Sequence, residues 1–157
     1  RSVFHPGSRH CHFYEGPSSD PGIPSSKKAP GDFVAFAFGV LSAFTRTHHQ
    51  LGNTLIQLES DDTANAETYF TAFHRMRPRG DPLAADNAYD TEMDYFVGGR
   101  YLDRFERRDG EWKIVQRTGM TDWVRLEAAS SQGFNDIAPQ TIGQRAPHDA
   151  VCQFYSV

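Results

Sequence analysis

Cysteine is scarce: two in 157 residues, Cys11 and Cys152, near opposite ends and without a CxxC pair. That spacing argues against a zinc knuckle or a disulfide framework and leaves room for one terminal staple; a reducing, cytoplasmic setting is the default reading. An excess of positive charge is lacking too, since 16 Lys and Arg stand against 20 Asp and Glu for a formal net charge of -4. Nucleic acid is therefore not an expected partner, because neutralising phosphates needs a basic face. Long apolar runs are also missing. The longest, FVAFAFGVLSAF (33–44), falls short of the roughly 20 residues that span a bilayer, so no membrane partner is expected and the run reads as a buried helix.

What is present suits one globular domain, 1–157, with 38% hydrophobic residues, long enough to bury a sizeable core. Pro17, Pro21, Pro24 and Pro30 among glycines and serines make 16–31 a loop. Phe33, Phe36, Ala37, Val40, Leu41 and Phe44 then recur at helical spacing, which predicts a helix over 32–45, N-capped by Asp32 and covered on more than one side. Strand patterns follow at 48–60 and 66–77, joined by the turn SDDTAN as an antiparallel pair. After a polar loop (78–91), runs at 92–108 and 111–127 meet at Asp109-Gly110, a strong hairpin signal because both turn positions tolerate positive φ. Gly98-Gly99 marks a bulge or sharp bend, and the tail from 128 is irregular. Together these elements predict an α+β fold: a curved, mainly antiparallel sheet closed by helices around a hollow suited to a small ligand.

Two histidines stand side by side in RTHHQLGN (46–53). On a strand, successive side chains point to opposite faces, so His48 and His49 cannot share a role. His10-x-His12, followed by Glu15, is a near miss to a metal-binding spacing. No later histidine is placed to complete it.

The stretches THHQLGNTLIQLESDDTANAETYFTAFHR and GGRYLDRFERRDGEWKIVQRTGMTDWVR resemble the SnoaL-like branch of the nuclear-transport-factor-2-like superfamily. Its members include scytalone dehydratase, hexachlorocyclohexane dehydrochlorinase and polyketide cyclases. The resemblance covers about 2–127, leaves 128–157 as a tail, and implies a cone: a curved mixed sheet wrapped by helices around an apolar pocket. It implies a strand histidine as general base, matched by His49 four residues before Asn53, and a functional arginine five residues after Trp112, matched by Arg117. His74 corresponds more loosely to a second histidine. His10, His12, Phe36, Val40, Phe44, Asn53, Phe70, His74 and Tyr101 are the substrate-facing candidates. Asp122-Trp123 resembles a family packing feature, with the tryptophan filling the cone and the aspartate bonded to backbone. No cofactor or metal is implied, and homodimers or homotrimers are expected.

The chemistry suits these residue types. Eliminating water or HCl, or closing a ring, begins with removal of a proton from carbon, which a histidine can accept at neutral pH. A fixed guanidinium stabilises the anion that develops, although Arg117 could equally pair with Asp103 or Glu106 across the hairpin. The expected function is thus a cofactor-independent lyase or isomerase of dehydratase or cyclase type acting on a small apolar cyclic molecule such as a steroid or polyketide. The alternative is a non-catalytic ligand-binding or assembly module like the small subunit of ring-hydroxylating dioxygenases. The resemblance also implies an aspartate partner for the base, on a helix before RSVFHPGS. Three explanations stay open for its absence: an N-terminal helix lying outside the sequence, which is preferred, substitution by an acid such as Asp122, or a member without the dyad.

Overall fold

A computed structural model describes residues 3–12, 26–28, 30–84, 88–130, 134–146 and 148–154. Strands β1 (Phe4–His12) and β2 (Ser26–Lys28) precede helix α1 (Pro30–Ser42), and four long strands follow: β3 (Phe44–Leu58), β4 (Thr63–Met76), β5 (Met93–Arg108) and β6 (Glu111–Ala128). Two short 3-10 turns, Phe134–Asp136 and Pro139–Thr141, lead to a brief helix α2 (Ala150–Phe154).

The six strands form one sheet in the order β2-β1-β6-β5-β4-β3. β1 runs parallel to β6 and every other pairing is antiparallel. The fold is α+β, with the open, curved, mixed sheet of a cone. α1 touches β1 and β2 at one edge of the sheet and β3 at the other.

Local chemistry explains both the bend and the main hairpin. Asp109 and Gly110 have φ of 53° and 79°, the two positive values that a type I′ turn requires. The β5–β6 register shifts between Gly98 and Gly99, where Asp122 is the extra residue on β6. A Cβ on Gly98 would collide with the Trp123 indole, and one on Gly99 with the Met120 carbonyl oxygen. The glycine pair is therefore required by close approach at the bulge.

Several expectations are corrected. The helix starts at Pro30, a residue suited to a first helical position, and ends before Phe44, which opens β3. Asp32 is thus inside the helix, and its side chain lies outside the described residues. Phe38 is 71% exposed, so α1 is not covered on that side. Part of the 16–31 loop forms β2, paired with β1. Cys152 is a free thiol, so no staple to Cys11 forms. Trp123 does not fill the cone: it is 49% exposed and packs beside Gly98.

Strand alternation divides the sheet into two faces. One carries Ala64, Ala66, Ala72 and Ile114, the buried apolar residues among those described, with the buried His74 and Asp103. This is the core face. The described core is smaller than the composition implies, because the distal half of β3 leaves Leu51, Ile56 and Leu58 exposed. On the outer face Arg75 and Asp94 form a buried bidentate ion pair at 2.8 and 2.9 Å, and Arg75 Nη2 also donates to the Ser130 carbonyl.

Candidate functional site

Register brings the candidate residues onto the core face from successive strands. His49 stands opposite Ala72, His74 opposite Thr47 and Tyr95, Phe70 opposite Gly99, and Asp103 opposite Arg117. His49 and His48 therefore face opposite ways, as alternation requires.

The imidazoles of His49 and His74 meet, with Nε2 atoms 2.9 Å apart and rings nearly perpendicular at 82°. One ring must donate and the other accept, so the contact exists only while at least one Nε2 lacks its hydrogen. Burial pushes the His74 pKa down to about 4, reinforced by neighbouring His49 and opposed by the Tyr95 main chain. His74 Nδ1 is buried without a hydrogen-bond partner of ordinary geometry. Burial also lowers the His49 pKa, with His48 adding to the effect. Phe44 and Tyr95 flank His74 at ring separations of 4.9 and 5.8 Å. The pair is thus neutral at pH 7, and His49, the more exposed of the two, presents its ring to the open side of the sheet.

Arg117 occupies a second position on this face. Its Nε and Nη2 donate to Asp103 at 2.7 and 2.6 Å, and the Asp103 carboxylate is only 3% exposed. Asp103, and not Glu106, is its partner; Glu106 is taken by Arg108. The guanidinium lies 4.2 Å above the Tyr101 ring, which stacks on Phe70 at 4.6 Å. Burial raises the Tyr101 pKa, against the pull of Arg117 and with the push of Asp103. The result is a rigid cation held over an aromatic floor.

The remaining candidates fall at different places. Asn53 is exposed, in a bulge where the register shifts between Leu51 and Thr54. Val40 is 38% exposed on α1. His10 and His12 lie level with Arg117 and Gly119 along β1. Their side chains, like that of Phe36, lie outside the described residues, as does Glu15. Among the described residues no group of three or more His, Cys, Asp or Glu is arranged to hold a metal ion. Asp122 does not serve as the acid for His49: both its oxygens accept from Arg100, which also binds Glu67, on the outer face. Its partner is thus a side chain rather than the backbone expected from the sequence.

Tyr95 is a neighbour of the site that the sequence reading does not single out, although alternation from Val97 places it on the same face. A cavity of about 400 Å³ lined by Leu55, Glu67, Leu102 and Arg104, among others, contains none of the sequence candidates.

Comparison with known proteins agrees with the fold. A family model described as a SnoaL-like domain matches residues 21–118. No curated protein matches the chain. Among solved structures, hexachlorocyclohexane dehydrochlorinase (LinA) type 2 superposes with a TM-score of 0.61 at 20% identity, covering 90% of this chain and 78% of that one. A protein from Novosphingobium aromaticivorans described as a scytalone dehydratase gives 0.53 at 20% identity, covering 83% and 76%. The β subunit of a protein from the same organism, described as an aromatic-ring-hydroxylating dioxygenase, gives 0.51 at 21%, covering 78% and 74%. These structures share the fold.

Proposed function

The chain belongs to the SnoaL-like domain family, and from that premise we propose that it is a cofactor-independent lyase or isomerase in which His49 removes a proton from carbon. The observation that carries this reading is the His49–His74 contact, a neutral imidazole oriented by a second one at 2.9 Å. The names of similar structures, a dehydrochlorinase and a dehydratase, support the same class of chemistry.

In this reading His74 orients the base. If His49 Nε2 donates to His74, the lone pair of His49 Nδ1 is left to accept the substrate proton. A neutral imidazole stabilises the imidazolium less than a carboxylate does, so His74 in this role fits a substrate whose proton is itself acidic, beside a carbonyl or a leaving group. The C–H electron pair then forms an enolate or expels the leaving group, and the proton stays on His49 until it is returned. Arg117, fixed by Asp103, supplies the positive charge toward which that anion develops. Phe44, Phe70 and Tyr101 offer apolar surface to a small cyclic substrate such as a steroid or polyketide, with His10, His12, Phe36, Val40 and Asn53 as further contacts. Assembly as a homodimer or homotrimer in the cytoplasm belongs to the same reading.

A turnover screen over cyclic substrates with an acidic C–H, run with wild-type protein and His49→Ala, tests it. The variant is expected to lose about a hundredfold or more in kcat. Equal rates in the two proteins would remove the base and favour a non-catalytic assembly module.

A further inference from the structure

On the outer face, behind the doubled histidine, the C-terminal tail borders an open cleft of about 1220 Å³ against β3 and β4. Phe73 forms its floor, Phe38 of α1 one wall, and Phe134, Ile137 and Ile142 its roof. Phe38 is 71% and Ile137 44% exposed, so apolar surface remains uncovered around the space. The tail is tied down at both sides. Arg145 Nη2 donates to the Leu41 and Phe44 carbonyls at 2.6 and 2.9 Å, and the Arg46 guanidinium lies 4.3 Å over the Phe134 ring.

The charges in the cleft are unequally engaged. Arg75 is held by Asp94 and the Ser130 carbonyl. The Asp149 carboxylate accepts from the Gln144 and Val151 amides, and Glu92 accepts from the Thr45 hydroxyl. Among the described residues Arg46 forms no ion pair with a carboxylate, and its guanidinium rests on the Phe134 ring alone. His48 follows it on the same face.

The cleft is larger than the roughly 300–1,000 Å³ usual for a small organic ligand, which would fill part of it. Apolar walls select a hydrophobic body, and a guanidinium that no described carboxylate neutralises selects a negative head that it can bind through charge-assisted hydrogen bonds. We infer that this cleft is a second ligand site, for an organic anion with an apolar body such as a medium-chain fatty acid. It lies on the opposite face from His49 and is independent of the proposed catalysis. The anion shares Arg46 with the Phe134 ring, so binding also holds the tail against the sheet.

Calorimetric titration with decanoate tests the site. Saturable binding of one decanoate per chain is expected, about tenfold weaker in Arg46→Gln and in Phe38→Ser. Phe38 is largely exposed, so its substitution leaves the fold intact if the Arg46 variant does not. Uncharged decanol is expected to bind about tenfold more weakly than decanoate, and His49→Ala to leave decanoate affinity unchanged. Absence of saturable binding, equal affinity in wild type and both variants, or loss of binding in folded His49→Ala would each overturn the assignment. A failed turnover screen leaves this outcome untouched.

Discussion

His49 and His74, on neighbouring strands, hold their Nε2 atoms 2.9 Å apart with no carboxylate between them. The fold keeps His74 neutral, with its pKa lowered from 6.5 to about 4 chiefly by burial. Between those values the unfolded chain binds more protons, so stability rises with pH through this window. It is complete above about pH 6.5 and is lost as pH falls toward 4, by at most about 3 kcal/mol. His49, also lowered, acts in the same direction. Urea denaturation between pH 4 and 7 is expected to show this slope, and His74→Gln to flatten it.

The same pair predicts non-additive kinetics. His74 acts through His49, so His74→Phe is expected to lower kcat less than His49→Ala and to move the acidic limb of the pH–rate profile. The double variant should be no slower than His49→Ala alone. Independent, multiplying losses in that cycle would separate the two histidines.

Arg117 neutralises a carboxylate that is almost wholly buried. Arg117→Met is therefore expected to destabilise the protein by about 3 kcal/mol, and Asp103→Asn in the same chain to restore most of that loss. Chemical denaturation of both variants checks it. The double variant is then the proper background for judging what the guanidinium does to rate.

On the outer face, Asp94→Ala leaves Arg75 buried without its bidentate partner. A loss of about 3–5 kcal/mol is expected, whereas replacing both residues with Met and Leu should cost far less. Midpoints of urea unfolding distinguish the two cases.

Gly99→Ala places a methyl group against the Met120 carbonyl, which cannot rotate away, and 3.0 Å from Phe70 Cζ. Destabilisation of about 1–3 kcal/mol is expected. Because Phe70 stacks on Tyr101, the near-ultraviolet circular dichroism of the aromatic pair should change as well.

The features legible in the sequence are those set by local chemistry. Asp109-Gly110 announces its turn because both residues take positive φ, and Gly98-Gly99 announces its bulge because no side chain fits there. The opposite facing of His48 and His49 follows from alternation alone. What stays hidden depends on distant partners. Ser26–Lys28 becomes a strand inside a proline-rich stretch because β1 offers it an edge. Asp122 is committed by Arg100 across the hairpin, and Arg46 and His48 acquire a cleft only once the tail packs above them. The resemblance points to an acid as the partner of His49. Within the described residues the contact made by His49 Nε2 is an imidazole, because residue 74 lies beside its strand neighbours on the same face.

The short turn at Asp109-Gly110 joins the two longest strands of the sheet and gives the chain an order of assembly. β5 and β6 close with almost no loop entropy, and β4 and then β3 add to them across modest connections. β1 reaches β6 from the other end of the sequence, the contact with the largest loop to close. Loop closure alone therefore favours its docking last, which would bring His10 and His12 level with Arg117 and Gly119 only after the histidine pair is in place. On that order, completing the site coincides with completing the sheet.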